Sequence, residues 1–165
     1  MSARSVLVTG CSSGIGHHCA HALARRGWRV FAAARRVDDV RRLQAEGLEA
    51  VRIDLDDSAS ITAGVDEVLD RTGGRLFGLF NNAGYGQPGA VEDLTRAALR
   101  AQFETNVFGT LEVTRRVLPA MRAAGEGRIL VNGSVLGLVA LPLRGAYNAS
   151  KFALEGLFDT LRLEL

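Results

Sequence analysis

The sequence predicts a doubly wound α/β fold, in which helices cover both faces of a parallel β-sheet. Short apolar runs alternate with helical patterns five times along the 165 residues. The runs are also almost continuously apolar, as in strands that are buried on both faces of a parallel sheet. Right-handed β-α-β crossovers then place helices on both faces of one sheet. We expect residues 1–165 to form a single domain.

The strands are predicted where a short apolar run stands between turn signals. In chain order these runs are VLV at 6–8, WRVFAAA at 28–34, AVRIDL at 50–55, LFGLF at 76–80 and RILVN at 128–132. The helices are predicted where apolar residues recur every three to four positions. They cover about 14–26, 37–46, 58–71, 95–124 and 146–165. Gly125 and Gly127 end the long fourth helix.

The composition is that of a globular protein. Hydrophobic residues make up 47% and charged residues 23%, and the net charge is +2, too small to indicate nucleic acid or an anionic membrane as the partner. No apolar run approaches the roughly 20 residues of a membrane-spanning helix, and the N-terminus lacks the apolar region of a signal peptide. Two cysteines, Cys11 and Cys19, imply no disulfide framework. We therefore expect a cytoplasmic protein.

A glycine-rich turn, TGCSSGIG at 9–16, separates the first strand from the first helix. Glycine permits positive φ and lets the backbone approach a ligand closely. The helix N-terminus that follows offers free N–H groups and the positive end of the helix dipole. A tight turn without a ligand could use the same glycines. Their position after the first strand of an α/β chain nevertheless favours a pyrophosphate site, and hence a dinucleotide.

The segment YNASK at 147–151 places the chain's only lysine four residues after a tyrosine. Residues at this spacing lie on the same face of a helix. A free tyrosine has a pKa of about 10, so too little of it is phenolate at neutral pH for it to work well as a base. A nearby ammonium group stabilises the phenolate and lowers this pKa. Lys151 could thus tune Tyr147 as a general acid/base, although an exposed helix pair would show the same spacing.

Five motifs together resemble those of the compact short-chain dehydrogenases/reductases. They are TGCSSGIG at 9–16, NNAG at 81–84, Asn106 in ETNVFGT, Ser134 in NGSVLG and YNASK at 147–151. The resemblance implies a Rossmann fold with strand order 3-2-1-4-5 and one NAD(P)-binding domain. The segment YNASKFALEGL is similar to members that act on hydroxysteroids, retinoids and other lipophilic alcohols. A small-molecule alcohol or carbonyl substrate is implied, and a homodimer or homotetramer is compatible with it.

In the chemistry that this resemblance implies, Tyr147 is the general acid/base for hydride transfer between an alcohol and a ketone or aldehyde. Lys151 favours the phenolate of Tyr147 and binds the nicotinamide ribose, Ser134 polarises the substrate oxygen, and Asn106 holds a water that relays protons to Lys151. Tyr147 and Lys151 also contact the cofactor. The other residues implied in cofactor binding are Gly10, Ser12, Ser13, Gly14, Ile15, Gly16, Arg35, Asp54, Leu55, Asn82, Ala83 and Gly84.

The end of the second strand favours NADP(H) over NAD(H). Dinucleotide folds that prefer NAD carry an acidic residue here, which binds the ribose 2′-hydroxyl. This chain has Ala34, Arg35 and Arg36 instead. A guanidinium pairs well with a 2′-phosphate, so we expect NADP(H), with NAD(H) as the alternative. Arg35 could also be a solvated residue at a helix start.

A weaker signal lies in the first helix, where His17 and His21 are one turn apart with Cys19 between them. That spacing could bind a metal. A helix of this kind packs one face on the sheet and leaves the other in water, which accounts for these residues without an ion. We therefore predict no metal site.

Compact members of the family have two further strands after the pattern that ends here at Leu165. We therefore expect a C-terminally truncated chain that lacks the last two strands of the family. A nucleotide-binding or interaction module without catalysis is the alternative function. A sugar-nucleotide epimerase or dehydratase is a further alternative, but the glycine turn of those enzymes usually has another spacing.

Overall fold

Five parallel strands form the centre of the molecule. The computed structural model describes residues 4–165; residues 1–3, on which the expected lack of a signal peptide partly depends, lie outside the described part. The strands are β1 (Ser5–Val8), β2 (Arg29–Ala34), β3 (Glu49–Arg52), β4 (Gly78–Asn81) and β5 (Arg128–Val131). Their order in the sheet is β3-β2-β1-β4-β5, and every neighbouring pair is parallel. The predicted strand order is confirmed.

Six α-helices within the described residues surround the sheet. They are α1 (Gly14–Arg25), α2 (Val37–Ala45), α3 (Ser58–Thr72), α4 (Arg96–Phe103), α5 (Thr110–Ala124) and α6 (Gly145–Glu164). Within residues 4–165, no helix combines the length and the apolar character that crossing a lipid bilayer requires.

Two hydrophobic cores lie on opposite faces of the sheet. Successive strand residues point to opposite faces, so both faces of a central strand need apolar side chains. On one face, Leu7 packs with Val65 of α3 and Val117 of α5. On the other face, Val8 packs with Ala20 of α1 and with residues of α2. This two-sided burial confirms the doubly wound fold and explains the continuous apolar runs.

The third strand is shorter than predicted. The sequence indicated 50–55, but β3 ends at Arg52. The Ile53 N–H still donates to the carbonyl oxygen of Ala34, the last residue of β2, at 3.1 Å. The next N–H, of Asp54, donates instead to the Ser60 hydroxyl of α3 at 3.0 Å. The apolar residues after Arg52 are buried by the turn into α3, and apolarity alone could not distinguish this burial from a strand.

The long helix predicted over 95–124 is interrupted. A π-helical segment, Glu104–Gly109, separates α4 from α5. A π-turn adds one residue to the helical turn, a change too small to disturb an apolar pattern visibly. The segment brings Gly109 against the turn after β3, where an added Cβ would clash with the Leu55 carbonyl oxygen and lie 2.6 Å from the Leu55 Cβ.

We expect Gly109→Ala to destabilise the protein by about 1–3 kcal/mol, because a methyl group there has no room and overpacking strains its neighbours. Gly156→Ala in α6 is the matched control, since nothing lies within 4 Å of its added Cβ. That control should leave stability unchanged or raise it by up to about 1 kcal/mol, because alanine favours helices over glycine. Urea unfolding measures both variants. Equal stability of the two would contradict the close contact at Gly109.

Candidate functional site

A cleft of about 660 Å³ opens at the carboxyl ends of β1 to β4. All strands of a parallel sheet present their carboxyl ends at one edge, so the loops that follow them converge there. Ten of the residues predicted to bind a cofactor line this cleft. They are Gly10, Ser12, Ser13, Ile15, Arg35, Asp54, Leu55, Asn82, Ala83 and Gly84. Asp54 and Leu55 line it from the turn after β3, not from the strand's end as predicted.

The glycines of the turn at 9–16 are required by conformation and by space. Gly10 has φ +71°, and an added Cβ would lie 2.7 Å from the Ala83 Cα. Gly14, at φ +60°, is the first residue of α1. Behind the cleft, a Cβ on Gly16 would clash with the Gly10 carbonyl oxygen and lie 2.5 Å from the Asn82 Nδ2. The close packing of α1 against the turn therefore depends on glycine.

Thr9 joins the glycine turn to the NNAG segment that follows β4. Its hydroxyl oxygen accepts hydrogen bonds from the N–H groups of Asn82 (3.0 Å) and Ala83 (3.1 Å). The Asn82 side-chain amide in turn donates to the Thr9 carbonyl oxygen at 3.0 Å. Thr9 is 2% exposed, so these bonds are shielded from water. The two loops that form the floor of the cleft are thus held as one unit.

Asn132, just after β5, connects this floor to α6. Its side-chain amide donates to the Asn82 Oδ1 at 3.1 Å. Its carbonyl oxygen accepts from the Lys151 Nζ at 2.7 Å. The same Nζ lies 5.6 Å from the ring centroid of Tyr147, one helical turn earlier. Tyr147 packs against Gly86, where an added Cβ would lie 3.3 Å from the ring.

Lys151 is a buried cation, with only 6% of its surface exposed. Burial lowers the pKa of its ammonium group, and the charge of Glu155 opposes this effect to a smaller extent. The hydrogen bond to Asn132 replaces part of the lost hydration. The ammonium group is therefore held in a fixed position beside Tyr147.

Asn106 lies in the π-helical segment and is 1% exposed. Its Oδ1 accepts from the Tyr85 N–H at 3.0 Å, and its Nδ2 donates to the Tyr85 carbonyl oxygen at 2.9 Å. The Nδ2 also donates to the Ser150 hydroxyl at 3.1 Å, and that hydroxyl donates to the Tyr147 carbonyl oxygen at 2.8 Å. Asn106 thus ties the loop after β4 to the helix that carries Tyr147.

Gln102 of α4 supports the same loop from a fully buried position. Its Oε1 accepts from the Gln87 N–H at 2.7 Å, and its Nε2 donates to the Tyr85 carbonyl oxygen at 2.8 Å. Gln102 and Asn106 are four residues apart, and together they bind the backbone of Tyr85 and Gln87.

Ser134 forms the cap of a short 3-10 turn, Val135–Gly137, and its hydroxyl oxygen accepts from the Leu136 N–H at 3.1 Å. The cleft lining extends to Asn132, two residues before it, and includes neither Ser134 nor Tyr147. Ten of the predicted cofactor residues thus line the cleft, whereas Gly14, Gly16, Tyr147 and Lys151 lie outside its lining. Tyr147, Lys151 and Asn106 are linked by hydrogen bonds and packing. Ser134 is not linked to them by a hydrogen bond within residues 4–165.

Sequence analysis missed four residues that build the site. They are Thr9, Gln102, Asn132 and Ser150. Thr9 and Asn132 are polar residues directly after apolar strands, the one signal that could have indicated them. Gln102 acts through contacts with a distant loop, and nothing in its local sequence separates it from a surface residue. Ser150 lies within the YNASK motif, but its bond to Asn106 joins residues 44 positions apart.

Comparison with known proteins matches this chain to the short chain dehydrogenase family model over residues 4–165. The chain is 49% identical over 162 residues to an uncharacterized oxidoreductase, YbbO, of Escherichia coli K12; the match covers 98% of this chain and 60% of that protein. It is similar to a crystal structure of an actinorhodin polyketide ketoreductase with NADPH, at 35% identity and a TM-score of 0.91, covering 98% of this chain and 65% of the other.

A short chain dehydrogenase/reductase from Burkholderia phymatum, in complex with NAD, is also similar, with 32% identity and a TM-score of 0.92. That match covers 99% of this chain and 60% of the other. The chain thus spans about three fifths of the length of these relatives. The family model, the sequence identity and the fold agree, and the chain belongs to the short-chain dehydrogenase family.

Proposed function

We propose that this chain provides the dinucleotide site and the proton-transfer residues of an NADP(H)-dependent oxidoreductase that interconverts alcohols and carbonyl compounds. One observation carries the proposal. The buried Lys151 ammonium group lies beside the Tyr147 ring and is hydrogen-bonded to Asn132 at the edge of the cleft. A fixed cation next to a phenol, at the margin of a cleft that carries the glycine turn, suits hydride chemistry with a tyrosine acid/base.

The groups that line the cleft suit a dinucleotide. The pyrophosphate would lie over the glycine turn, at the N-terminus of α1, where Gly10, Ser12 and Ser13 line the cleft. Asp54 and Leu55 would contact the adenine, and the NNAG segment would line the adjoining ribose. When bound, the cofactor supplies the hydride chemistry.

NADP(H) is the cofactor that we propose, because the cleft edge after β2 is cationic. Arg35 lines the cleft, and the residue that directly follows the strand is this arginine and not an acid. A guanidinium there would pair with the 2′-phosphate. The related structures bind NADPH in one case and NAD in another, so the family alone leaves the preference open.

Tyr147 would exchange the proton with the substrate oxygen. Lys151, as the adjacent cation, would stabilise the phenolate and bind the nicotinamide ribose. The Ser134 hydroxyl oxygen accepts a backbone hydrogen bond, so its proton stays free to be donated to a substrate oxygen.

Asn106 would act by positioning. Its side-chain amide already makes hydrogen bonds to Tyr85 and Ser150, so a water that relays protons to Lys151 would be bound by the backbone of the π-helical segment instead.

A lipophilic substrate fits the surface beside Tyr147. The segment after β5 exposes apolar side chains at half or more of their surface: Val135, Leu138, Val139, Leu141 and Leu143. Asn148, next to Tyr147, donates to the carbonyl oxygens of Leu136 and Val139, so this segment adjoins the start of α6. Its apolar side chains would receive an apolar substrate.

We expect the chain to bind NADPH more tightly than NADH, measured by titration and nicotinamide fluorescence. Arg35→Asp should weaken NADPH binding about 10–100-fold, because a charge-assisted contact contributes roughly 1.5–3 kcal/mol. Arg36→Asp is the matched control, since Arg36 lies outside the cleft lining. Equal effects of the two substitutions would contradict the role of Arg35. Failure to bind either nucleotide would contradict the cofactor assignment.

Tyr147→Phe should lower turnover on a panel of ketones and aldehydes by about 10²–10⁴-fold, because the phenol oxygen that exchanges the proton is lost. NADPH binding should be retained, since the ring and Lys151 remain. Single-turnover oxidation of bound NADPH provides the measurement. Binding without turnover by the unsubstituted chain would instead favour the non-catalytic nucleotide-binding module.

The charge on Lys151 should make stability depend on pH in alkaline solution. Burial places its folded pKa below the 10.5 of the unfolded chain, so between these values the unfolded state binds more protons and stability rises with pH. Lys151→Met cannot titrate. The difference in unfolding free energy should therefore shift in favour of the lysine protein as the pH rises towards 10.5. Parallel urea-unfolding results across this range would show that the ammonium group is well solvated.

A further inference from the structure

A cluster of two histidines and a carboxylate lies on the outer surface of α1, outside the cleft. His17 and His21 are one turn apart, and their rings meet edge to face with centroids 4.7 Å apart. Glu46, at the end of α2, reaches both: its Oε2 lies 2.7 Å from the His17 Nε2 and 2.8 Å from the His21 Nε2. The sequence predicted no metal here, because a helix with one face on the sheet and one in water accounts for the two histidines without an ion. Glu46, the third group, follows β2 and α2 in the chain.

The three groups present a complete donor set. The two imidazole nitrogens and the carboxylate oxygen lie within 4.8 Å of one another. Two histidines with one glutamate form a common ligand set for zinc, with a fourth position left for water. Zinc–ligand bonds of about 2.0–2.1 Å place tetrahedral ligand atoms roughly 3.3 Å apart. The two hydrogen-bonded contacts would each open by about half an ångström, which side chains at the surface can accommodate.

Glu46 is oriented by a second contact. Its Oε1 accepts from the Arg42 Nη1 at 3.1 Å, and Arg42 is in turn paired with Asp39 at 2.9 Å. Arg42 therefore occupies one carboxylate oxygen and leaves Oε2 for the histidines. Outer contacts of this kind fix the geometry of metal-binding carboxylates.

We propose that His17, His21 and Glu46 form a binding site for a divalent transition-metal ion of the zinc class, with Glu46 as a monodentate ligand. The ion would link α1 to the end of α2. Its effect would extend to the glycine turn, since Arg42 also donates to the Ser12 carbonyl oxygen at 2.7 Å. The site depends on none of the assignments made for the cleft.

The test is titration of the chain, free of any affinity tag, with Zn²⁺ by isothermal calorimetry near neutral pH, and with Co²⁺ by visible absorption. We expect one ion per chain and a Co²⁺ spectrum of tetrahedral or five-coordinate type. His21→Gln and Glu46→Gln should each weaken binding at least tenfold. Circular dichroism confirms that both variants are folded.

His18→Gln is the matched control, because His18 lies on the same helix, is exposed and is outside the cluster. Its Zn²⁺ affinity should equal that of the unsubstituted chain, and Zn²⁺ should raise the thermal midpoint of both. Three results would overturn the proposal: no binding at millimolar Zn²⁺, equal loss in His18→Gln and His21→Gln, or retention of the site in Glu46→Gln. Each of these would leave the cluster as a hydrogen-bonded surface contact.

Discussion

A continuous series of hydrogen bonds runs from the end of the first strand to the last helix, and the geometry of the site depends on it. Thr9 holds Asn82, Asn82 accepts from Asn132, and Asn132 accepts from Lys151. The parallel sheet makes this series possible, because the carboxyl ends of β1, β4 and β5 lie side by side at one edge. Removal of a middle member would leave polar groups without partners on both sides, at a cost above that of one hydrogen bond.

The sequence predicted the parts of the site that are encoded locally. The glycine turn and the Tyr147–Lys151 spacing can be identified because their residues are neighbours in one turn or one helical turn. Thr9 and Asn132 could not be assigned roles, since their partners lie far along the chain. The role proposed for Ser134 comes from the family resemblance, and that for Tyr147 also from the spacing to Lys151. The catalytic roles of Tyr147, Ser134 and Asn106 stay predictions.

The fold was predicted well and its boundaries less well, for two physical reasons. Apolar residues after Arg52 are buried without pairing in the sheet, so β3 ends earlier than hydrophobicity indicates. The π-helical segment at Glu104–Gly109 shifts the helix by a single residue, a change that leaves a periodic apolar pattern almost intact. Both departures bring residues towards the cleft: Leu55 lines it directly, and Asn106 supports the Tyr85 loop beside it.

The loop after β4 has no regular secondary structure, yet buried amide side chains bind its backbone. Gln102 and Asn106 satisfy the Tyr85 and Gln87 N–H groups and the Tyr85 carbonyl oxygen as a neighbouring strand would. A loop that is already ordered loses little conformational entropy when a ligand settles on it. Binding energy gained at this edge of the cleft is therefore available for affinity and orientation, with little of it consumed in ordering the protein.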